Sequence, residues 1–330
     1  MRGPKVGIVG GSGYIGSALA DYLSGKFTVK VIDKNPPRNH NYNIKYQRCN
    51  IVNYNEIKQA LDDVELVIHT AIVQIPQINE QKKLGYAVNF LGTQNVCKVV
   101  DETPLIKGMI LAGTWHVFGE RALFGIIDEA FGFRPDKVEE RAHLYALSKI
   151  AQEVMVRYYD EMSKKVYGVI RMATVLGEGM AEKTAANIFI SKGLLGESIT
   201  PFKHSMYRPM LYVDVNDVCK AFKIYTMKIL NDEICKEENG LAHVVNLCWP
   251  NPITIIELAR IIRDTITKLT EGKVKPRIEI VDTGRSVLYE PTDKVKVDIS
   301  KVRRFLGITK LTNPEKTLER IIKGSLKNKN

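Results

Sequence analysis

Tyr145 and Lys149 stand four residues apart in the run Tyr145-Ala146-Leu147-Ser148-Lys149. On a helix that spacing puts both side chains on one face, one turn apart. An ammonium beside a phenol favours phenolate, drawing down a pKa that starts near ~10. Such a phenol exchanges a proton with a sugar or alcohol hydroxyl near neutral pH. The alternative is a packing role for Tyr145 at the edge of an apolar stripe formed by Leu147, Ile150, Ala151 and Val154. Thr114 ends the run Leu111-Ala112-Gly113-Thr114 and can donate or accept a hydrogen bond at the reacting oxygen. Trp115 and His116 follow it directly. His116 is placed on the substrate side, open between acid/base, lid and packing roles.

A second constellation is Gly10-x-x-Gly13-x-x-Gly16, between an apolar run and a helical pattern. Gly10 permits a tight turn, Gly13 lets backbone approach a pyrophosphate, and Gly16 lets the helix pack closely on a sheet. With Tyr14 and Ile15, the loop opens a helix whose first N–H groups face phosphate. Asp33 ends the next apolar run, where a carboxylate accepts the ribose hydroxyls and repels a 2′-phosphate. NAD is therefore expected over NADP, although Lys34 and Arg38 would soften that repulsion.

These residues need a scaffold. Strands are expected at Lys5–Val9, Phe27–Asp33, Val64–His69, Ile106–Leu111, Val166–Arg171 and Val244–Leu247. Helices are expected at Ser17–Leu23, Glu56–Leu61, Leu84–Val100, Leu144–Met162, Ala185–Leu195, Ile253–Leu269, Ile299–Leu306 and Pro314–Gly324, with the tail beyond Lys323 frayed. Strands alternating with helices predict an α/β protein, a doubly wound parallel sheet of Rossmann type. The rhythm loosens after Gly177, which predicts a smaller, discontinuous C-terminal substrate domain. The expected division is 1–175 and 210–247 for the dinucleotide domain, and 176–209 and 248–330 for the substrate domain.

The 330 residues include 48 basic and 37 acidic side chains, a formal charge of +11. The basic residues are scattered, without an arginine stripe interleaved with aromatics, so no nucleic-acid partner is expected. No apolar run reaches membrane-helix length, and no leader precedes the first strand pattern, so a cytoplasmic protein without a membrane partner is expected. Cys49, Cys97, Cys219, Cys235 and Cys248 have no metal-knuckle spacing, and reduced thiols and no metal site are expected.

In combination the motifs resemble the extended short-chain dehydrogenases/reductases of the NAD-dependent nucleotide-sugar epimerase/dehydratase family, nearest in pattern to UDP-glucose 4-epimerase-like enzymes. The resemblance runs through the glycine loop, Asp33, His69-Thr70-Ala71, Asn89-Phe90-Leu91-Gly92-Thr93-Gln94-Asn95, Thr114 with Val117-Phe118-Gly119, Tyr145 with Lys149, and Tyr212-Val213-Asp214. It implies that Asn50 and Ile51 lie beside adenine, that Ala71 lines the middle of the cofactor, and that Asn89 supports the active-site side. Thr114, Tyr145 and Lys149 correspond to the catalytic trio, with Lys149 also holding the nicotinamide ribose. Arg208 and Arg285 resemble arginines that reach substrate phosphate, and Thr174 stands where an asparagine commonly touches diphosphate. The helices at 84–100 and 144–162 correspond to those of a homodimer interface.

Departures narrow the reaction. Trp115 and His116 occupy positions where 4,6-dehydratases carry an Asp-Glu pair, which favours 4-epimerisation of a nucleotide-diphosphate sugar. The alternatives are a sugar-nucleotide dehydratase, an alcohol/ketone oxidoreductase, and an NAD-binding regulatory scaffold.

Overall fold

The computed structural model describes residues 3–37, 44–235, 240–287, 289 and 295–327. Arg38 lies outside them. Seven strands form one parallel sheet: β1 (Lys5–Val9), β2 (Thr28–Asp33), β3 (Ile44–Arg48), β4 (Leu66–His69), β5 (Gly108–Thr114), β6 (Val166–Met172) and β7 (Val244–Leu247). Their spatial order is β7-β6-β5-β4-β1-β2-β3. Every pairing is parallel, with Val9 beside His69 and Thr114 beside Met172. Strand order reverses at β1, so a crevice opens at the C-terminal ends of β1 and β4, where such sheets bind ligands. Strands β4, β5 and β6 are buried along their whole length. Apolar clusters lie against both faces of the sheet, as a parallel sheet requires.

The helices that serve the crevice are α1 (Tyr14–Ser24), α2 (Tyr54–Ala60), α3 (Thr93–Glu102) and α4 (His143–Met162). The later chain adds α5 (Ala185–Leu194), α6 (Val215–Leu230), α7 (Ile255–Leu269), α8 (Ser300–Leu306) and α9 (Pro314–Lys327). Helix α7 starts with a capping box between Thr254 and Glu257. Small two-stranded pairings fasten the later segments: Tyr212–Asp214 on Thr174–Leu176, Ile253–Thr254 on Pro209–Met210, and Val295–Val297 on Gly125–Ile127.

Four sequence expectations needed correction. Strand β3 was not anticipated; its mixed burial is that of an edge strand with little apolar patterning. The helix expected over Leu84–Val100 is interrupted: a short turn at Lys82–Tyr86 passes into a π-helical turn at Ala87–Gly92 before α3 begins. There the buried Asn89 side chain bonds Val73 across the crevice instead of facing water. The tail stays helical to Lys327, beyond the expected fraying at Lys323, which pairs with Glu319 at 2.8 Å.

The fourth concerns α4. Leu147 and Val154, expected inside, are 38% and 49% exposed. The buried face carries Ser148, Lys149, Gln152 and Glu153 instead. Each has a partner within: Asn89, the Ala112 carbonyl, Thr93 and Arg171 respectively. A satisfied polar side chain can be buried without the penalty of an orphan, so specific hydrogen bonds here outweigh the apolar period.

Arg171 of β6 is 2% exposed, and its Nε and Nη2 fork onto both oxygens of Glu153 at 2.6–3.0 Å. Its Nη1 donates to the Glu129 carbonyl at 2.9 Å, and its plane lies over Phe118 and Phe133 at 5.1 and 5.6 Å. Removing one partner of a buried ion pair strands the other charge, at a cost of about 3–5 kcal/mol. Arg171→Met and Glu153→Leu are each expected to lose about that much in urea unfolding, and the double variant to lose less than either. Additive losses would show that the two side chains are not energetically coupled.

Candidate active site

The glycine loop has the geometry its spacing implied. Gly10 adopts φ +81° and donates its N–H to the Ile32 carbonyl at 2.8 Å. A Cβ on Gly10 would fall 2.4 Å from the Ala71 nitrogen, and one on Gly16 2.3 Å from the Gly10 carbonyl oxygen. At Gly13 the nearest atom to such a Cβ is the Gly10 oxygen at 3.3 Å, so its outer side is open. Gly13 is also the N-cap of α1, and no side chain caps that helix. The first-turn N–H groups of Tyr14, Ile15 and Gly16 therefore face outward without an intrahelical acceptor. An anion is the complementary partner for that end of the helix.

Asp33 sits at the end of β2 and is committed at two points. The Ser12 N–H donates to its Oδ2 at 3.1 Å and the Asn35 N–H to its Oδ1 at 3.0 Å. The carboxylate thus ties the glycine loop to the strand end and retains lone pairs for hydroxyl donors. Asn50 is exposed; its Oδ1 accepts from the Val52 N–H at 3.2 Å. The Ile51 side chain is buried and fills the space that a Cβ on Gly92 would need. Ala71 lies directly against Gly10.

The second half of the site gathers where β5 ends. The Thr114 hydroxyl faces the Tyr145 phenol. Lys149 is buried on the same face of α4 and donates Nζ–H to the Ala112 carbonyl at 2.8 Å. Asn89 holds this corner in place: its Oδ1 accepts from the Val73 N–H at 2.7 Å, while its Nδ2 donates to Ser148 Oγ at 3.0 Å. Beneath lies a buried chain in which Gln152 Nε2 donates to Thr93 Oγ1 at 2.8 Å and Thr93 meets His69 Nε2 at 2.9 Å. Burial and the nearby Lys149 charge press the His69 ring down to about 3, so it stays neutral.

Burial pushes the Tyr145 phenol up to about 12, against the opposing pull of Thr114. Burial also presses the Lys149 ammonium down to about 7, against the opposing pull of the Glu153 carboxylate. Both groups are driven toward their neutral forms. Helical spacing alone points to attraction between ammonium and phenolate; desolvation, the largest cause for each group here, acts against it.

The substrate-side expectations divide. His116 is next to the trio: its Nδ1 lies 3.1 Å from Thr114 Oγ1, and its ring meets the Tyr145 ring edge-on at 5.5 Å. Trp115 turns inward, 1% exposed, and donates Nε1–H to Thr174 Oγ1 at 3.2 Å, which uses the Thr174 hydroxyl as packing. Arg208 is buried and bonds Glu139 through Nη1, with Glu120 3.9 Å away and its own Nε unpartnered. Arg285 is exposed on the segment after Val281.

Sequence reasoning missed the acidic pair that organises this corner. Glu120 is 1% exposed and accepts the Glu139 N–H at 2.8 Å. Burial alone would raise its carboxyl, but the His116 ring, the Arg208 guanidinium and the Glu139 N–H hold it down at about 2. Arg141 closes the cluster, 2.8 Å from Glu139 and 3.7 Å from Glu120. The only trace in the sequence is a glutamate directly after Gly119, whose φ of +81° turns the chain back over the site.

A parallel sheet with an uncapped glycine-rich helix start and a carboxylate at the second strand's end defines a dinucleotide-binding fold of Rossmann type. The sequence profile of the NAD dependent epimerase/dehydratase family matches residues 6–235. The chain belongs to that family of nucleotide-sugar enzymes, and NAD is its cofactor. A UDP-glucose 4-epimerase candidate of Methanocaldococcus jannaschii is 30% identical over 320 residues, spanning 91% of this chain and 97% of that protein. The protein y4nG of Sinorhizobium fredii is 30% identical over 175 residues, 52% of this chain and 41% of its own. The fold is shared with a solved UDP-glucose 4-epimerase of Thermotoga maritima, with a TM-score of 0.77 at 20% identity over 99% of this chain and all of that one.

The depressed Lys149 makes stability depend on pH. The unfolded chain keeps this proton up to about 10.5, whereas the folded protein gives it up near 7. Between those values the unfolded state binds more protons, so this group's contribution to stability rises with pH, and below 7 its cost is complete. Thermal unfolding of wild type and Lys149→Met should show wild type gaining on the variant from pH 6 to pH 10. Parallel pH curves would contradict the assignment.

Proposed function

We propose that the protein catalyses reversible 4-epimerisation of a nucleotide-diphosphate sugar of UDP-hexose type, through a transient 4-keto sugar. The observation that carries this reading is the meeting of Thr114, Tyr145 and Lys149 at the end of β5 beside Trp115 and His116, without a carboxyl group at either of those positions. Elimination of water needs a carboxylic acid and a base at the sugar. The nearest buried carboxyl, Glu120, is held ionised and paired, so it cannot act as that acid.

The cofactor-binding residues fit NAD. The open outer side of Gly13 and the uncapped start of α1 match a pyrophosphate, and Asp33 matches ribose hydroxyls. Gly10, Gly16, Tyr14, Ile15, Asn50, Ile51, Ala71 and Asn89 complete the proposed cofactor site. When bound, NAD supplies a hydride acceptor at C4 of the sugar and returns the same hydride. Tyr145 takes the O4 proton, and Thr114 holds that oxygen. Lys149, anchored to Ala112, holds the nicotinamide ribose. Arg208, through its unpartnered Nε, and Arg285 retain the diphosphate while the sugar turns over, with Thr174 and His116 bordering the substrate.

The 1–175 and 210–247 segments form the cofactor domain, and 176–209 and 248–330 the substrate domain. Leu147, Val154, Tyr158 and Met162 leave an apolar outer face on α4, which supports a homodimer. No described helix is long and apolar enough to cross a membrane, and we place the enzyme in the cytoplasm.

With UDP-glucose, UDP-galactose or their N-acetyl forms, isomers should interconvert without net NADH and without loss of water. Tyr145→Phe should lower turnover by ~10²–10⁴ with the fold intact. Stoichiometric NADH release would indicate a dehydrogenase, and a product lighter by the mass of one water a dehydratase.

A further inference from the structure

His116 lies between two polar atoms: its Nδ1 is 3.1 Å from Thr114 Oγ1, and its Nε2 is 3.4 Å from Glu120 Oε1. Glu120 is 1% exposed, while the His116 side chain is 18% exposed. Thr114 in turn faces the Tyr145 phenol, so four side chains form a line from the reacting oxygen into the protein.

Donor and acceptor counting fixes how that line is wired. Glu120 Oε1 has no hydrogen-bond partner of its own, and the ring form with hydrogen on Nε2 turns a donor toward it across 3.4 Å. Nδ1 of the neutral ring is then an acceptor, and the Thr114 hydroxyl donates to it. Thr114 Oγ1 also accepts the His116 backbone N–H at 3.3 Å. Its remaining lone pair is the one that would take the Tyr145 O–H, and the same hydroxyl turned the other way stabilises the phenolate. With that bond all three hydrogen-bonding capacities of the hydroxyl are used; the two side-chain links can be reversed, whereas the backbone N–H only donates.

We propose that Thr114, His116 and Glu120 form a proton relay that stores the Tyr145 proton on His116. In that step the Tyr145 O–H bond breaks as its proton passes to Thr114 Oγ1. The Thr114 proton passes to His116 Nδ1, forming a new N–H bond. The products are a phenolate, an unchanged threonine hydroxyl now donating to it, and an imidazolium facing Glu120. No proton leaves for solvent, and no net charge is created in the buried corner. His116 is thus a positioning residue that acts on Tyr145 through Thr114. The charged and titratable groups around the line are Glu120 on the same segment, Tyr145 and Lys149 from α4, and Glu139, Arg141 and Arg208 behind Glu120. Burial pushes the Tyr145 phenol up to about 12, and the 3.1 Å contact of Thr114 with His116 Nδ1 gives its proton a place to go inside the protein.

The relay deepens the proposed epimerase mechanism and rests on it for the role of Tyr145, but its test does not require a sugar. Tyrosine labelled with 13C at Cζ reports phenol ionisation in the NAD-loaded protein, and Tyr145→Phe identifies the Tyr145 signal among 14 tyrosines. In His116→Gln and in Glu120→Gln the ionisation of Tyr145 should move upward by about one unit, roughly tenfold less phenolate at a given pH. With a turned-over substrate, His116→Gln should lower kcat at least ~tenfold, with KM changed less than ~threefold. Thr114→Val combined with His116→Gln should lose little more than Thr114→Val alone, because both cut one line. His116 is partly exposed, so His116→Gln is the variant expected to keep its fold where Glu120→Gln does not. An unmoved Tyr145 signal in folded His116→Gln overturns the relay, whatever the substrate. A shifted signal in a protein that turns over no nucleotide sugar upholds the relay and overturns the epimerase reading.

Discussion

The site depends on the fork between Arg171 and Glu153. It fixes α4 against β6 with two charged side chains, neither more than 2% exposed. Helix α4 carries Tyr145, Ser148, Lys149 and Gln152 on the same side of the helix as Glu153. Its rotation about its axis therefore sets where all of them point. An apolar contact would tolerate slippage along the helix, whereas a guanidinium fork onto a carboxylate has one geometry. The cost of burying that pair is met by near-complete satisfaction: Glu129 takes the remaining Arg171 donor, and two phenylalanine rings cover its plane. The fork thus trades stability for placement of the helix.

The two halves of the site follow different physics. At the glycine loop, geometry is set by exclusion: the approach of Ala71 to Gly10 and of the Gly10 carbonyl to Gly16 leaves no room for side chains. That closeness leaves the start of α1 bare of caps. At the end of β5, geometry is set by hydrogen bonds among buried polar groups. Asn89 is central there, because the π-helical turn lets it reach both the Val73 backbone and Ser148. A regular helix through Ala87–Gly92 would have matched the sequence period, but π turns of this kind often mark functional sites.

This contrast explains what could be read in advance. The glycine loop, the place of Asp33 at a strand end and the parallel strands other than β3 were legible because glycine spacing and uninterrupted apolar runs each permit few conformations. That Tyr145 and Lys149 share one helix was legible from their spacing. The burial of Lys149 and Glu153 was not, because a charged residue scores as surface until its partner is known, and Arg171 lies on a distant strand. Leu147 and Val154 were misplaced for the same reason: the period named an apolar stripe, and tertiary hydrogen bonds turned the opposite face inward. Glu120 and Glu139 carried no spacing signal, since Gly119 and the irregular chain after it bring them to the site. Edge strand β3 lacked the apolar alternation that would have announced it.

Charge balance connects these buried groups to the chemistry. The chain as a whole is strongly basic, yet the corner behind His116 holds two carboxylates, Glu120 and Glu139, against two guanidiniums, Arg141 and Arg208. A proton arriving on His116 therefore adds one positive charge to a balanced cluster while a negative charge forms on Tyr145. At the 5.5 Å separation of the two rings, attraction between these charges is about 3 kcal/mol for an effective dielectric near ~20. That corresponds to about two pKa units on the phenol, the size of displacement that burial imposes in the opposite direction. Lys149 provides less, since it gives up its own proton near 7. On the proposed relay the phenol ionises with its proton kept close, on His116, whose Nδ1 lies 3.1 Å from Thr114 Oγ1.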